Sequence, residues 1–257
     1  VLTFKEGIRD RAIIGIGLFS LVLMSVTLVV ISFFMRELDK VSVDINLSAI
    51  SLAGLMLTFF LSINLMAKDI DRKTIYCVMS KPFSRSQYIW GKYFGLLMII
   101  LTAFAVLTVC SSLTIYLAKV QYGNWFKTFS WIEYYKAIYA SFLMLAVLNA
   151  MVVFFSSITS SSFITLIFSI CIYIAGQSIE EVVVYLKSSA GQEANISETV
   201  SQIIDVVKYV LPNLSVFDLK VQASHAIHIS MPYLADITFY GLIYISILMI
   251  CAALIFN

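Results

Sequence analysis

The chain has 257 residues, of which 61% are hydrophobic and 12% charged, and its mean hydropathy is +0.95. A soluble domain is about 25% charged and about 45–50% apolar, so this chain carries more apolar surface than a water-soluble fold can bury. Its net charge of +2 is too small to point to nucleic acid, and lipid is the expected solvent.

The apolar residues fall in blocks of about twenty with almost no charge, the length at which a helix crosses a bilayer. Six spans are predicted. The first covers 12–35 and ends at Arg36, Glu37, Asp39 and Lys40. Lys5, Arg9 and Arg11 before it resemble the basic start of a signal peptide. A signal-peptide core is only about 7–15 residues long, so a retained span is expected. The second span, 45–67, stops at Lys68-Asp69-Ile70-Asp71-Arg72-Lys73. The third covers 94–118, the fourth 137–158, the fifth 160–179, ended by Glu180 and Glu181, and the sixth 237–256. The expected fold is an all-α integral membrane protein, one transmembrane domain over 1–257.

Region 180–236 is predicted to be an amphipathic outer region. Within it Val200, Ile203, Ile204, Val207 and Val210 recur at helical spacing. Asn195 and Glu198 resemble a capping pair, and Pro212 ends the helix. Such a helix lies along the membrane surface, apolar side towards lipid or the bundle. Orientation follows from the basic residues. With the N-terminus inside, nine fall on the inner side and eight on the outer. The inner nine crowd into two short stretches, whereas three of the outer eight lie in one long loop that counts for little. Both termini are therefore expected in the cytoplasm.

Chemistry-bearing motifs are few. Cys77, Cys110, Cys171 and Cys251 are scattered without metal or redox spacing, so neither disulfide nor metal is expected. His225 and His228 could share a helix face, but a zinc site draws on three or four ligands. A phosphate cradle needs GxxxxGK[ST]; around Gly91-Lys92, Ser86 replaces the first glycine and Tyr93 the hydroxyl residue. Glu180 and Glu181 are adjacent and point about 100° apart on a helix, which reads as a polar membrane boundary and not a catalytic dyad. No charge lies deep in a predicted span, which argues against an ion-coupled transporter. Asn64, Asn149 and scattered Ser and Thr read as interhelical hydrogen-bonding groups. Tyr122, Trp125, Phe126, Phe129, Trp131, Tyr134 and Tyr135 read as an outer interfacial belt. The sequons at Asn46, Asn195 and Asn213 read as incidental.

The stretch from Asn64 to Gly95 resembles the inner loop of type-2 ABC permeases. In that family an acidic residue and a basic-Thr pair lead through a "kPfsR.qyi.GK..G" segment into the third span. The matching positions are Asp69, Lys73, Thr74, Lys81, Pro82, Ser84, Arg85, Tyr88, Gly91, Lys92 and Gly95. Asp71-Arg72 stands where the family often has Glu-Gly, a departure in the same loop. Two further stretches agree. Phe4 to Arg11, with Lys5, Glu6, Arg9 and Arg11, resembles the family's "KE..R.R" helix on the inner surface. Leu211 to Asp218, with Pro212, Asn213, Phe217 and Asp218, resembles its outer "lPNl..FD" element.

The resemblance implies a permease subunit of an ATP-driven exporter in a bacterial or archaeal inner membrane, not itself an enzyme. ATP and Mg would sit on two cytoplasmic ATPase subunits. A second copy or a paralogue would complete twelve spans. Asp69, Arg72, Lys73, Thr74, Lys81, Pro82, Ser84, Arg85 and Lys92 would form the ATPase-coupling segment. There Pro82 breaks one helix and Ser84 caps the next. An alternative within the family is a subunit that relays ATP-driven motion to an extracytoplasmic partner without transport. A third reading is a non-ABC channel subunit or intramembrane enzyme. Cargo and direction are not written in the spans.

Overall fold

A computed structural model describes residues 11–33, 38–63, 85–123, 126, 129–159, 161–187 and 211–255. They form seven α-helices and one 3-10 turn. These are α1 (Arg11–Phe33), α2 (Leu38–Ser62), α3 (Arg85–Gln121), α4 (Trp131–Ile158) and α5 (Ser162–Lys187), then the turn Ser215–Phe217, α6 (Lys220–Ser224) and α7 (Met231–Ile255). Among the described residues five helices are long and apolar enough to cross a membrane: α2, α3 from Ser86, α4, α5 to Tyr185, and α7. The 23-residue α1 coincides with the first predicted span. Helices suit lipid because they satisfy their backbone hydrogen bonds internally.

Five of these helices overshoot an end of their predicted spans. α2 starts at Leu38 instead of 45, α3 at Arg85 instead of 94, α4 at Trp131 instead of 137, and α7 at Met231 instead of 237; α5 runs on to Lys187 instead of 179. Charge marks where lipid ends, whereas a helix continues as long as its residues are packed or solvated. Leu38, Asp39, Ser42 and Val43, for example, are buried where α6 packs on α2. The predicted outer region is shortened at both ends by the same effect. Its amphipathic helix, with Asn195 and Glu198, lies outside the described residues.

The centre of the bundle is α4, which packs against α2, α3, α5, α6, α7 and the 3-10 turn. Ala137, Ala140, Val147, Leu148, Ala150 and Val153 are all fully buried. A helix apolar all round belongs in a core, and its alanines let neighbouring backbones approach closely. Thr159 ends α4 in an extended conformation (φ −102°, ψ 143°), its N–H and hydroxyl both donating to Phe155 O at 2.9 Å. α5 then begins at Ser162, so the two helices form a tight antiparallel hairpin. α5 and α7 also carry exposed Phe163, Ile167, Phe239, Ile243 and Leu254.

Between α5 and α7 the chain folds into a cap over one end of the bundle. Its 3-10 turn packs on α4 and α5, and α6 on α2 and α4. α6 closes in a Schellman arrangement: Ala226 N–H donates to Ala223 O at 3.2 Å and Ile227 N–H to Gln222 O at 2.8 Å. Ala226 therefore sits at φ 51°, where a Cβ costs about 1 kcal/mol and glycine is the usual occupant. Ala226→Gly is expected to stabilise the protein by up to about 1 kcal/mol, read as a higher thermal midpoint of the detergent-purified protein.

Candidate functional site

Three polar clusters pin the helices together, and each joins elements far apart in sequence. The first lies where α2, α3 and α4 meet near the cap. Ser111 donates its hydroxyl proton to Asn46 Oδ1 at 3.1 Å, so its close contact with the Tyr134 hydroxyl must have Tyr134 as donor. Asn46 Nδ2 donates to Ser42 O at 2.8 Å. Asn46, Ser111 and Tyr134 are fully buried, which removes Asn46 as a glycosylation acceptor. The aromatic group around Tyr134 is only partly a surface belt. Phe126 and Tyr134 are buried while Tyr135 is 47% exposed, and Phe129, Trp131, Tyr134 and Tyr135 stack in mutual contact. Trp125 lies outside the described residues.

The second cluster joins the same three helices at their opposite end. Fully buried Asn149 on α4 accepts from the Ser62 hydroxyl at 2.9 Å and donates through Nδ2 to Tyr93 O at 3.3 Å. The Tyr93 hydroxyl returns to Ala146 O at 3.4 Å. Asn149 thus acts as the interhelical group expected of it; Asn64 lies outside the described residues. Gly91 and Lys92 sit within α3, where the backbone amides serve the helix and cannot cradle a phosphate.

The third cluster fastens the cap. The Glu133 carboxylate accepts from Lys136 Nζ at 3.0 and 3.3 Å, from Ile229 N–H at 2.9 Å and from His228 Nδ1 at 3.1 Å. Because a carboxylate only accepts, His228 carries its proton on Nδ1 in this contact. Lys136 Nζ also donates to Ile229 O at 2.6 Å, so one ion pair grips both main-chain polar groups of one residue. Its side chains are 8% and 7% exposed, and such a pair persists only when its remaining hydrogen-bonding capacity is filled. His225 turns to Ser224 and Val221 instead, so the two histidines do not share a site.

On the other side of the cap, Asn213 N–H donates to the Tyr240 hydroxyl at 2.7 Å. Asn213 Oδ1 accepts from Ser215 N–H at 3.2 Å, an Asx turn. The Glu180 carboxylate receives Asn213 Nδ2 at 3.3 Å and Ser215 Oγ at 2.5 Å. Pro212, Leu214 and Phe217 are buried, and Asp218 pairs with Lys220 at 3.2 Å. The predicted outer-face residues Pro212, Asn213, Phe217 and Asp218 are therefore brought together as one folded plug. Gly176 makes room for it. Leu214 N–H donates to Gly176 O at 3.0 Å, and a Cβ on Gly176 would stand 2.7 Å from Pro212 O.

Residues 3–257 match the family described as ABC-2 family transporter protein. The chain belongs to that family. No curated protein matches it. It is a multi-pass membrane permease, in line with its apolar helices. Of the permease's predicted coupling residues, Asp69, Arg72, Lys73, Thr74, Lys81, Pro82 and Ser84 lie outside the described residues, as do Lys5, Glu6 and Arg9. Arg11 and Arg85 open α1 and α3, and Lys92 is 7% exposed on α3.

Several residues that organise the permease carried little sequence signal. Glu133 and Lys136 stand at i,i+3 spacing, which marks helical neighbours, but not that both would be buried on the Ile229 main chain. Glu180 read only as a boundary charge, and Gly176 as an ordinary apolar-block residue.

Two outcomes are expected. Glu133→Ala, which orphans Lys136 and the Ile229 N–H, should cost about 2–3 kcal/mol. Glu133→Leu/Lys136→Met should recover much of that, both read as thermal midpoints. Gly176→Val should release the 211–218 plug, seen as faster protease cleavage near Pro212 while the membrane helices stay intact.

Proposed function

We propose that the permease couples ATP hydrolysis by a separate ATPase subunit to export of a substrate. The carrying observation, beside family membership, is α3. Its 37 residues extend about 55 Å, against a bilayer core of about 30 Å. The helix thus has length to spare at the end where segment 64–84 enters it, and its first residues, Arg85 to Gln87, are polar. In this reading segment 64–92 lodges in the ATPase, with Asp69, Arg72, Lys73, Thr74, Lys81, Pro82, Ser84, Arg85 and Lys92 forming or supporting the contact. Lys5, Glu6, Arg9 and Arg11 lie along the inner surface.

Six spans, counting α1, put both termini in the cytoplasm of a bacterial or archaeal cell. Two copies, or one copy and a paralogue, meet with two ATPases that hold ATP and Mg. ATP binding closes the ATPases, and the docked segments shift the bundles between two states. A second reading, relay of motion to an extracytoplasmic partner without transport, draws support from the cap. It is fastened through Glu133 and Glu180 yet presents exposed Val221, Ile227 and Met231.

The test is co-purification of the ATPase encoded beside this chain. Wild type is expected to retain it in detergent, and Lys81→Glu/Arg85→Glu to lose it. No ATPase on either version would refute the coupling reading.

A further inference from the structure

The two helices that flank segment 64–84 are joined by one side chain. Ser62 is the last residue of α2, and Tyr93 lies two turns into α3. Asn149 holds both, at 2.9 and 3.3 Å, from the C-terminal third of α4. Apolar packing between helices is non-directional and lets them slide, because lipid supplies no hydrophobic force to fix their register. A buried amide bonded to two helices at once does fix it. At the far end of α4, sixteen residues or about 24 Å away along a stiff helix, Glu133 and Lys136 grip the Ile229 main chain. Ile229 leads directly into α7.

We propose that Asn149 is the positioning residue that hands displacement of segment 64–84 to α4, and through Glu133 and Lys136 to the cap. This rests on the coupling reading above. Coupling across such a distance requires elements that move as one body, joined at defined points; Asn149 is the join at one end and the Ile229 clamp the join at the other. Thr58 provides a contrast on the same helix. It is fully buried, but its hydroxyl donates to Gly54 O of its own helix at 2.8 Å and ties α2 to nothing else.

The experiment uses the assembled permease–ATPase complex with its native cysteines replaced by alanine and a spin label at Val221→Cys, a 61% exposed cap position. Adding ATP with vanadate is expected to change the label's spectrum in wild type and in Thr58→Val. In Asn149→Leu, close in shape to asparagine, and in Ser62→Ala, which loses one hydroxyl, that change should fall by about five-fold or more. ATPase binding and turnover should persist in both. A purely structural role would lower complex yield and leave the spectral change per complex intact, which overturns the proposal. So would a wild-type complex that binds and hydrolyses ATP while the label stays still. If no ATPase associates with wild type, the coupling reading itself fails, and this inference with it.

Discussion

The structure depends on pairing the large polar side chains of α4, the helix at the centre of the bundle. Inside a bilayer no water is available to satisfy an amide, hydroxyl or charge. The large polar residues at its two joints therefore reach a neighbouring helix or the cap: Tyr134 to Ser111, Asn149 to Ser62 and Tyr93, Glu133 and Lys136 to Ile229. These bonds select one register out of the many that apolar packing alone would allow. The same residues that satisfy the central helix thereby decide where α2, α3 and α7 stand.

A division of labour between the two ends follows. At the end carrying segment 64–84, contact with α4 goes through a neutral amide and a hydroxyl. At the capped end it goes through an ion pair closed over the main chain of one residue, with Glu180 holding the cap from the α5 side. Charge is affordable there because the helices have overshot the apolar zone, so Glu133 and Lys136 sit in protein near the membrane boundary. A permease that changes state as a whole needs firm joints at both ends of its central helix, and this arrangement supplies them.

Much of the organisation is legible in the residues. Blocks such as 94–118 and 137–158 announced their helices through apolar length. Leu211 to Asp218 stood out through its resemblance to the family's outer element, with Pro212 marking a helix end. Asn149 was readable as an interhelical group, since an amide inside an apolar block has few other uses. The helix ends were not readable from charge, because Asp39 is buried and Glu133 and Lys136 are held by tertiary partners instead of water. The reading of Tyr134 and Phe126 as surface aromatics failed for a related reason. A tyrosine at a span's end can face the interface or hydrogen-bond inward, and only the presence of Ser111 opposite it settles the matter.

By itself, then, the sequence determined the solvent, the helical class and the family, because apolar length and local motifs are properties of consecutive residues. Which polar groups meet was decided only by the tertiary structure. Apart from Lys136, the partners named for Glu133, Asn149 and Glu180 lie 33 to 96 positions away along the chain, and nothing local in the sequence encodes such a distance. Gly176 shows the same limit from the opposite side. Its lack of a side chain has meaning only because the Pro212 carbonyl folds back to within 2.7 Å of where a Cβ would stand.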